Sequence, residues 1–121
     1  QQKCLDRLYD FNMTRPTEQK KREEMLKDMF AEIGENCYIE PPLHANWGGR
    51  NVHLGKFVYC NFNVTFVDDT HIYIGDYTML APNVVIVVII NIYIAKPDGS
   101  QAFCVQHQTR MSEYAKRFLQ L

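Results

Sequence analysis

Apolar residues recur at helical spacing through the first third of the chain. Leu5, Leu8 and Tyr9 form a first stripe, and Thr14 and Pro16 interrupt it. Met25, Leu26, Met29, Phe30 and Ile33 form a second, with charged residues on the opposite face and Gly34 at the expected stop. Glu18 stands four residues before Arg22, and Glu23 four before Lys27, which is the favourable order for pairing along a helix surface. Residues 1–32 therefore read as an N-terminal helical segment.

From Ile33 the period changes to six. Ile33, Ile39 and Ala45 make one series, Leu54, Cys60, Phe66 and Ile72 a second, and Ile74, Leu80, Ile86 and Ile92 a third. Each opens on an aliphatic residue followed by glycine: Ile33-Gly34, Leu54-Gly55 and Ile74-Gly75. If every sixth side chain points inward, three hexads close one triangular coil of about 18 residues plus insertions. Parallel strands then pair coil on coil, with Gly or Asn supplying the backbone angles of the corners. A sandwich would instead show strict alternation and closely spaced hairpin turns. The first Asp-Gly or Asn-Gly pair is Asp98-Gly99, near the end. The expected fold is mainly β with N-terminal helices: a parallel β-helix of about three coils over 33–95. Residues 96–121 form a tail in which Tyr114, Phe118 and Leu121 are spaced for a short C-terminal capping helix.

Composition narrows the function classes. The 121 residues carry a formal charge of −1, so nothing marks a nucleic-acid or anionic-membrane partner. The longest apolar run, 84–95, is too short for a membrane-spanning helix and its β-branched residues read as strand. Cys4, Cys37, Cys60 and Cys104 contain no C-x-x-C spacing, so reduced thiols and a cytoplasmic setting are expected, with no metal site.

The segments Gly-Glu-Asn (34–36), Ile-Glu-Pro-Pro (39–42), Asn-Phe-Asn (61–63), Val-Asp-Asp (67–69) and Ala-Pro-Asn-Val (81–84) occur in this order. With the helical lead before them, they make residues 9 to about 86 resemble the galactoside and maltose O-acetyltransferases, hexapeptide-repeat acyltransferases. The resemblance implies a left-handed β-helix, a homotrimer with active sites between subunits, acetyl-CoA as co-substrate and a sugar hydroxyl as acceptor. It implies a histidine as general base and backbone donors for the oxyanion. By the same resemblance Asn61 and Asp69 match positions that hold the sugar, Tyr59 lines the same cleft, and Asn46 is a further substrate-binding candidate. Amides and carboxylates suit adjacent hydroxyls because together they donate and accept. The alternative roles are corner turns for Asn61 and Asn63 and a solvated loop carboxylate for Asp69.

The resemblance breaks after the Ala-Pro-Asn-Val segment. The family's histidine follows in a Gly-His-Pro loop, which this chain lacks, and the expected position holds Asn91. An amide cannot accept the proton, so no catalytic residue is assigned, and loss of a general base costs a factor of about 10²–10⁴ in rate. His53 and His71 occupy ordinary repeat positions, and neither His44 nor His107 is placed by spacing to substitute. Family members also continue for several coils that build the acetyl-CoA groove. The chain thus reads as a shortened acetyltransferase with impaired or absent activity, or alternatively as a non-catalytic oligomerising β-helix module.

Overall fold

The structure, a computed structural model, describes residues 1–88 and the backbone of Ile92–Ala95 and Gln101–Cys104. Two helices, α1 (Gln2–Asn12) and α2 (Gln19–Met29), precede nine short strands: β1 (Glu32–Ile33), β2 (Tyr38–Ile39), β3 (His44–Ala45), β4 (Val52–Leu54), β5 (Tyr59–Cys60), β6 (Thr65–Val67), β7 (Ile72–Ile74), β8 (Met79–Leu80) and β9 (Val85–Val87). They form three parallel sheets, β1-β4-β7, β2-β5-β8 and β3-β6-β9, which are the three faces of a three-coil β-helix. We call these faces A, B and C.

The hexad arithmetic is the register. Ile33 pairs with Leu54 and Leu54 with Ile74; Ile39 pairs with Cys60 and Cys60 with Leu80; Ala45 pairs with Phe66 and Phe66 with Ile86. Each column is an inward stack, and Ile39, Cys60, Phe66 and Leu80 are buried. Val58, Leu43 and Val64, four residues after a six-beat position, are buried as well and fill the interior between columns.

The corners meet expectation at Asn36, Asn63 and Asn83 and depart from it at Phe57, Tyr77 and the repeat glycines. The left-handed backbone angles fall on Asn36, Phe57, Asn63, Tyr77 and Asn83, whereas Gly34, Gly55 and Gly75 have no positive φ. The glycines of the first two coils answer a different need, close approach of the next coil. A Cβ on Gly34 would lie 2.5 Å from the Lys56 nitrogen, and one on Gly55 would lie 2.2 Å from Asp76 Oδ1. On Gly75, at the top of the described stack, it would meet nothing within 4 Å. The unfavourable angles at Phe57 and Tyr77 are offset by ladder bonds and stacking. Phe57 N–H donates to Glu35 O at 2.8 Å, Tyr77 N–H to Lys56 O at 2.9 Å, and the two rings stack 5.3 Å apart.

The helices close the first-coil side of the molecule. α1 buries Leu8 and Phe11, whereas Leu5 and Tyr9 are exposed, so the inward face is turned one position from the one expected. Asn12 binds both polar groups of Leu43, accepting from its N–H at 2.8 Å and donating to its carbonyl at 2.9 Å. α2 stops at Met29 rather than running to Gly34. Phe30 leaves the helix to pack edge-on against Phe66 at 6.3 Å, and Ala31 N–H already donates to Val52 O. Ile33 therefore belongs to the first coil. Arg22 turns inward instead of pairing along the helix: its Nε–H donates to Thr14 Oγ1 at 2.7 Å and an Nη2–H to Thr14 O at 3.2 Å. Glu18 is left to pair with Lys21 at 3.6 Å and to accept from Arg15 N–H, the latter being the main cause holding its carboxyl below the usual range.

Beyond the third coil the parallel pattern ends. Ile92–Ala95 (β10) pairs antiparallel with Gln101–Cys104 (β11), so Ile92 does not carry the six-residue series of Ile74, Leu80 and Ile86 into a fourth parallel coil as its spacing suggested. These strands flank 96–100, which holds the Asp98-Gly99 pair. Asn91 and the expected capping helix lie outside the described residues.

Candidate functional site

The connectors differ in how much freedom they have. Those from face A to face B (34–37, 55–58, 75–78) and from B to C (40–43, 61–64, 81–84) hold a constant four residues, whereas those from C to A are 46–51 and 68–71. Asn46, Asp68 and Asp69 all lie on this third corner.

Asp68 organises it. Its carboxylate is fully buried and accepts from Trp47 N–H at 2.7 Å and from Gly49 N–H at 3.1 Å, while its carbonyl accepts from Asn51 Nδ2 at 2.8 Å. A buried carboxylate is tolerated because backbone donors replace its water. It thereby ties the longer connector of one coil to the shorter connector of the next. Sequence reading passed over Asp68 because the neighbouring aspartates of 67–69 carry no mark of which turns inward.

Once 46–51 is fixed, Asn46 and Asp69 meet on the solvent side. Asn46 Nδ2 donates to Asp69 Oδ1 at 3.2 Å, and both residues are exposed. Asn46 O in turn accepts from Gln1 Nε2 at 3.0 Å. The pair presents an amide and a carboxylate to one region of solvent, a set that both donates to and accepts from vicinal hydroxyls.

Asn61 and Tyr59 are elsewhere. Asn61 follows β5 on the corner between faces B and C, where its Oδ1 accepts from Phe62 N–H at 2.8 Å. Tyr59 stacks on Tyr38 at 5.8 Å on face B. Tyr38 donates its hydroxyl proton to Glu40 at 2.5 Å, and this hydrogen bond is the first cause raising its phenol above the ordinary range. Within one chain the four candidates therefore fall into two groups, Asn46 with Asp69 and Tyr59 with Asn61, on different corners. Asn63 has the positive φ of a corner residue, and Asn61 does not.

Face A carries a histidine array that spacing did not single out. His53 Nδ1 lies 2.9 Å from Glu32 Oε2, and His53 Nε2 lies 2.8 Å from His71 Nδ1. Tyr73 stacks on the His53 ring at 4.2 Å. The carboxylate oxygen accepts, so His53 Nδ1 donates to it, and a neutral His53 then accepts from His71 Nδ1–H. Glu32, His53 and Tyr73 are register partners on β1, β4 and β7, so the coil repeat itself builds the ladder. Among the described residues no group of three or more His, Cys, Asp or Glu side chains is placed to hold a metal ion. No helix among the described residues is long and apolar enough to cross a membrane.

Comparison with known proteins places this arrangement beside known sugar acetyltransferases. Residues 1–34 match the maltose acetyltransferase hexapeptide capping motif. The galactoside O-acetyltransferase of Lactococcus lactis is 54% identical over 86 residues, 71% of this chain and 42% of that protein. The chain is a partial match to the galactoside and maltose O-acetyltransferases. A galactoside acetyltransferase solved with coenzyme A superposes with a TM-score of 0.69 at 38% identity, over 80% of this chain and 47% of that one. A maltose O-acetyltransferase from Clostridium difficile superposes with a TM-score of 0.70 at 30% identity, over 81% of this chain and 51% of that one. The fold is thus the left-handed β-helix of these hexapeptide-repeat acetyltransferases. The chain spans about half or less of each of these relatives.

Proposed function

We propose that this chain carries the acceptor-binding part of an acetyl-CoA-dependent sugar O-acetyltransferase, with catalysis impaired or absent for want of the family's histidine. The observation that carries the reading is the Asn46–Asp69 pair at 3.2 Å, on a corner fixed by the buried Asp68. A galactoside or maltose hydroxyl pair would replace the solvent bonds of that amide and carboxylate. Asn61 and Tyr59, on another corner, complete a sugar cleft if a neighbouring subunit brings the two corners together. Acetyl-CoA supplies the acetyl group as a thioester. The donor set fits the sugar hydroxyls rather than the nucleotide, so no residue described here is assigned to it.

A homotrimer is supported by large apolar side chains on the outer surface: Phe57, Phe62, Tyr73, Tyr77, Met79 and Val85 are all more than two fifths exposed. The same faces also support a second reading, a non-catalytic oligomerising module. The free thiols Cys4, Cys37 and Cys60 are consistent with a cytoplasmic setting.

Catalysis is limited by Asn91, which occupies the position of the family's general base. Incubation with acetyl-CoA and a panel of galactosides and maltose is expected to give no acetyl transfer above the uncatalysed rate. Transfer that is abolished by Asp69→Ala would overturn the inactive reading while supporting the acceptor site. Absence of sugar binding in the wild type, by calorimetry, would overturn the acceptor site itself. A monomer by light scattering would refute the trimer and the module alike.

A further inference from the structure

A cavity lies beside the 46–51 connector, between it, the start of α1 and the end of α2. It has a volume of about 460 Å³. It is lined by Met29, Cys4 and Gly48 and by the exposed residues Lys3, Arg7, Arg50 and Asp28. Lys3 and Arg7 stand four apart on α1 and so share a face. Arg50 reaches the same space from the connector, and Asp28 from the last turn of α2. Among the described residues, none of these four charged side chains makes an ion pair or a hydrogen bond. Three positive charges against one negative therefore converge on one cavity in a protein whose formal charge is −1.

The walls are held in place rather than loosely apposed. The first turn of α1 lies directly on the connector: a Cβ on Gly48, which has a φ of +63°, would come within 2.4 Å of Cys4 O. Phe30 closes on Gly49 from below, and Gln1 bonds to Asn46 O. Cationic side chains that lack partners in a concave site focus positive potential. Two guanidinium groups offer the planar donor forks that suit phosphate oxygens, and lysine adds a point charge.

We propose that this cavity is a binding site for a small phosphate-bearing anion, held by Arg7, Arg50 and Lys3, with Asp28 at its rim opposing the charge. The site lies on the same connector as Asn46 but does not depend on the acetyl-transfer reading. Trp47, the only tryptophan, is half-buried in that connector and reports on it.

The test titrates the 121-residue protein with inorganic phosphate and follows Trp47 fluorescence, against sodium chloride at equal ionic strength. A saturable response with a Kd below about 1 mM is expected. Arg7→Gln and Arg50→Gln should each weaken it by about tenfold. Asp28→Asn should tighten it by about two- to threefold, since it removes a like charge. Lys20→Gln, on the exposed side of α2, should leave it unchanged. A wild-type response no larger than that of chloride overturns the proposal without recourse to any variant. So does wild-type affinity in both arginine variants, with far-UV circular dichroism confirming that they are folded.

Discussion

The corner between faces A and B and the corner between faces C and A are built from the same repeat and do different work. At the first, connectors of constant length set Asn36, Phe57 and Tyr77 in left-handed angles, and the side chains stack along the outside. At the second, the connectors are 46–51 and 68–71, so the chain there is not locked by repetition and Asp68 must tie it down. The difference teaches where a β-helix can host chemistry. A corner that every coil must repeat identically has its backbone bonds committed to stacking, whereas one with an insertion can offer polar side chains to solvent.

The largest expected effect separates the two neighbouring aspartates of the second corner. Asp68→Ala leaves the N–H groups of Trp47 and Gly49 without their acceptor and should lower unfolding free energy by about 2–4 kcal/mol in urea titrations. Asp69→Ala removes an exposed carboxylate and should change stability by less than about 0.5 kcal/mol. Equal effects would mean that Asp68 does not hold the connector.

At the first corner the comparison is between coils. Gly55→Ala forces a Cβ against Asp76, whose Oδ1 accepts from Lys56 N–H at 2.9 Å, and should cost about 2–3 kcal/mol. Among the described residues Gly75→Ala meets nothing within 4 Å, and it should be neutral or stabilise by a few tenths of a kcal/mol. A large loss at Gly75 in thermal melts would show that another segment packs on that glycine.

The smallest effect concerns the core that both corners enclose. Burial, with a lesser contribution from Cys37, pushes the Cys60 thiol up to about 12. In the unfolded chain a thiol ionises near 8.5, so above that pH the unfolded state holds fewer protons than the folded one. This contribution is full below about pH 8.5 and is lost as the pH rises toward 12. Burial raises Cys37 in the same direction. Cys60→Val should therefore show a shallower alkaline fall in stability, visible by comparing urea midpoints at pH 7 and pH 10.

Much of the scaffold was legible because a β-helix repeats its own register. The six-residue beat named the inward residues of each coil, and the register stacks them as the columns Ile33–Leu54–Ile74, Ile39–Cys60–Leu80 and Ala45–Phe66–Ile86. It misled at Ile92, because a fourth matching aliphatic does not state whether its strand will pair in parallel or fold back on β11. The helical stripe misled at Phe30 for a similar reason. Its spacing suits a helix, but a buried contact with Phe66 draws it out. Family resemblance named Asn46 and Asp69 singly, and it took the fold to put them 3.2 Å apart.

The sequence by itself determined the coil, its register and the family likeness, since each rests on side-chain identity at fixed spacing along the chain. Only the tertiary structure decided which aspartate is buried, that Glu32, His53 and His71 form one array, that Arg22 turns inward to Thr14, and that three cations share a cavity. Those facts depend on contacts between coils and helices distant in sequence, where no period links the partners and the direction of each side chain is set by what packs behind it.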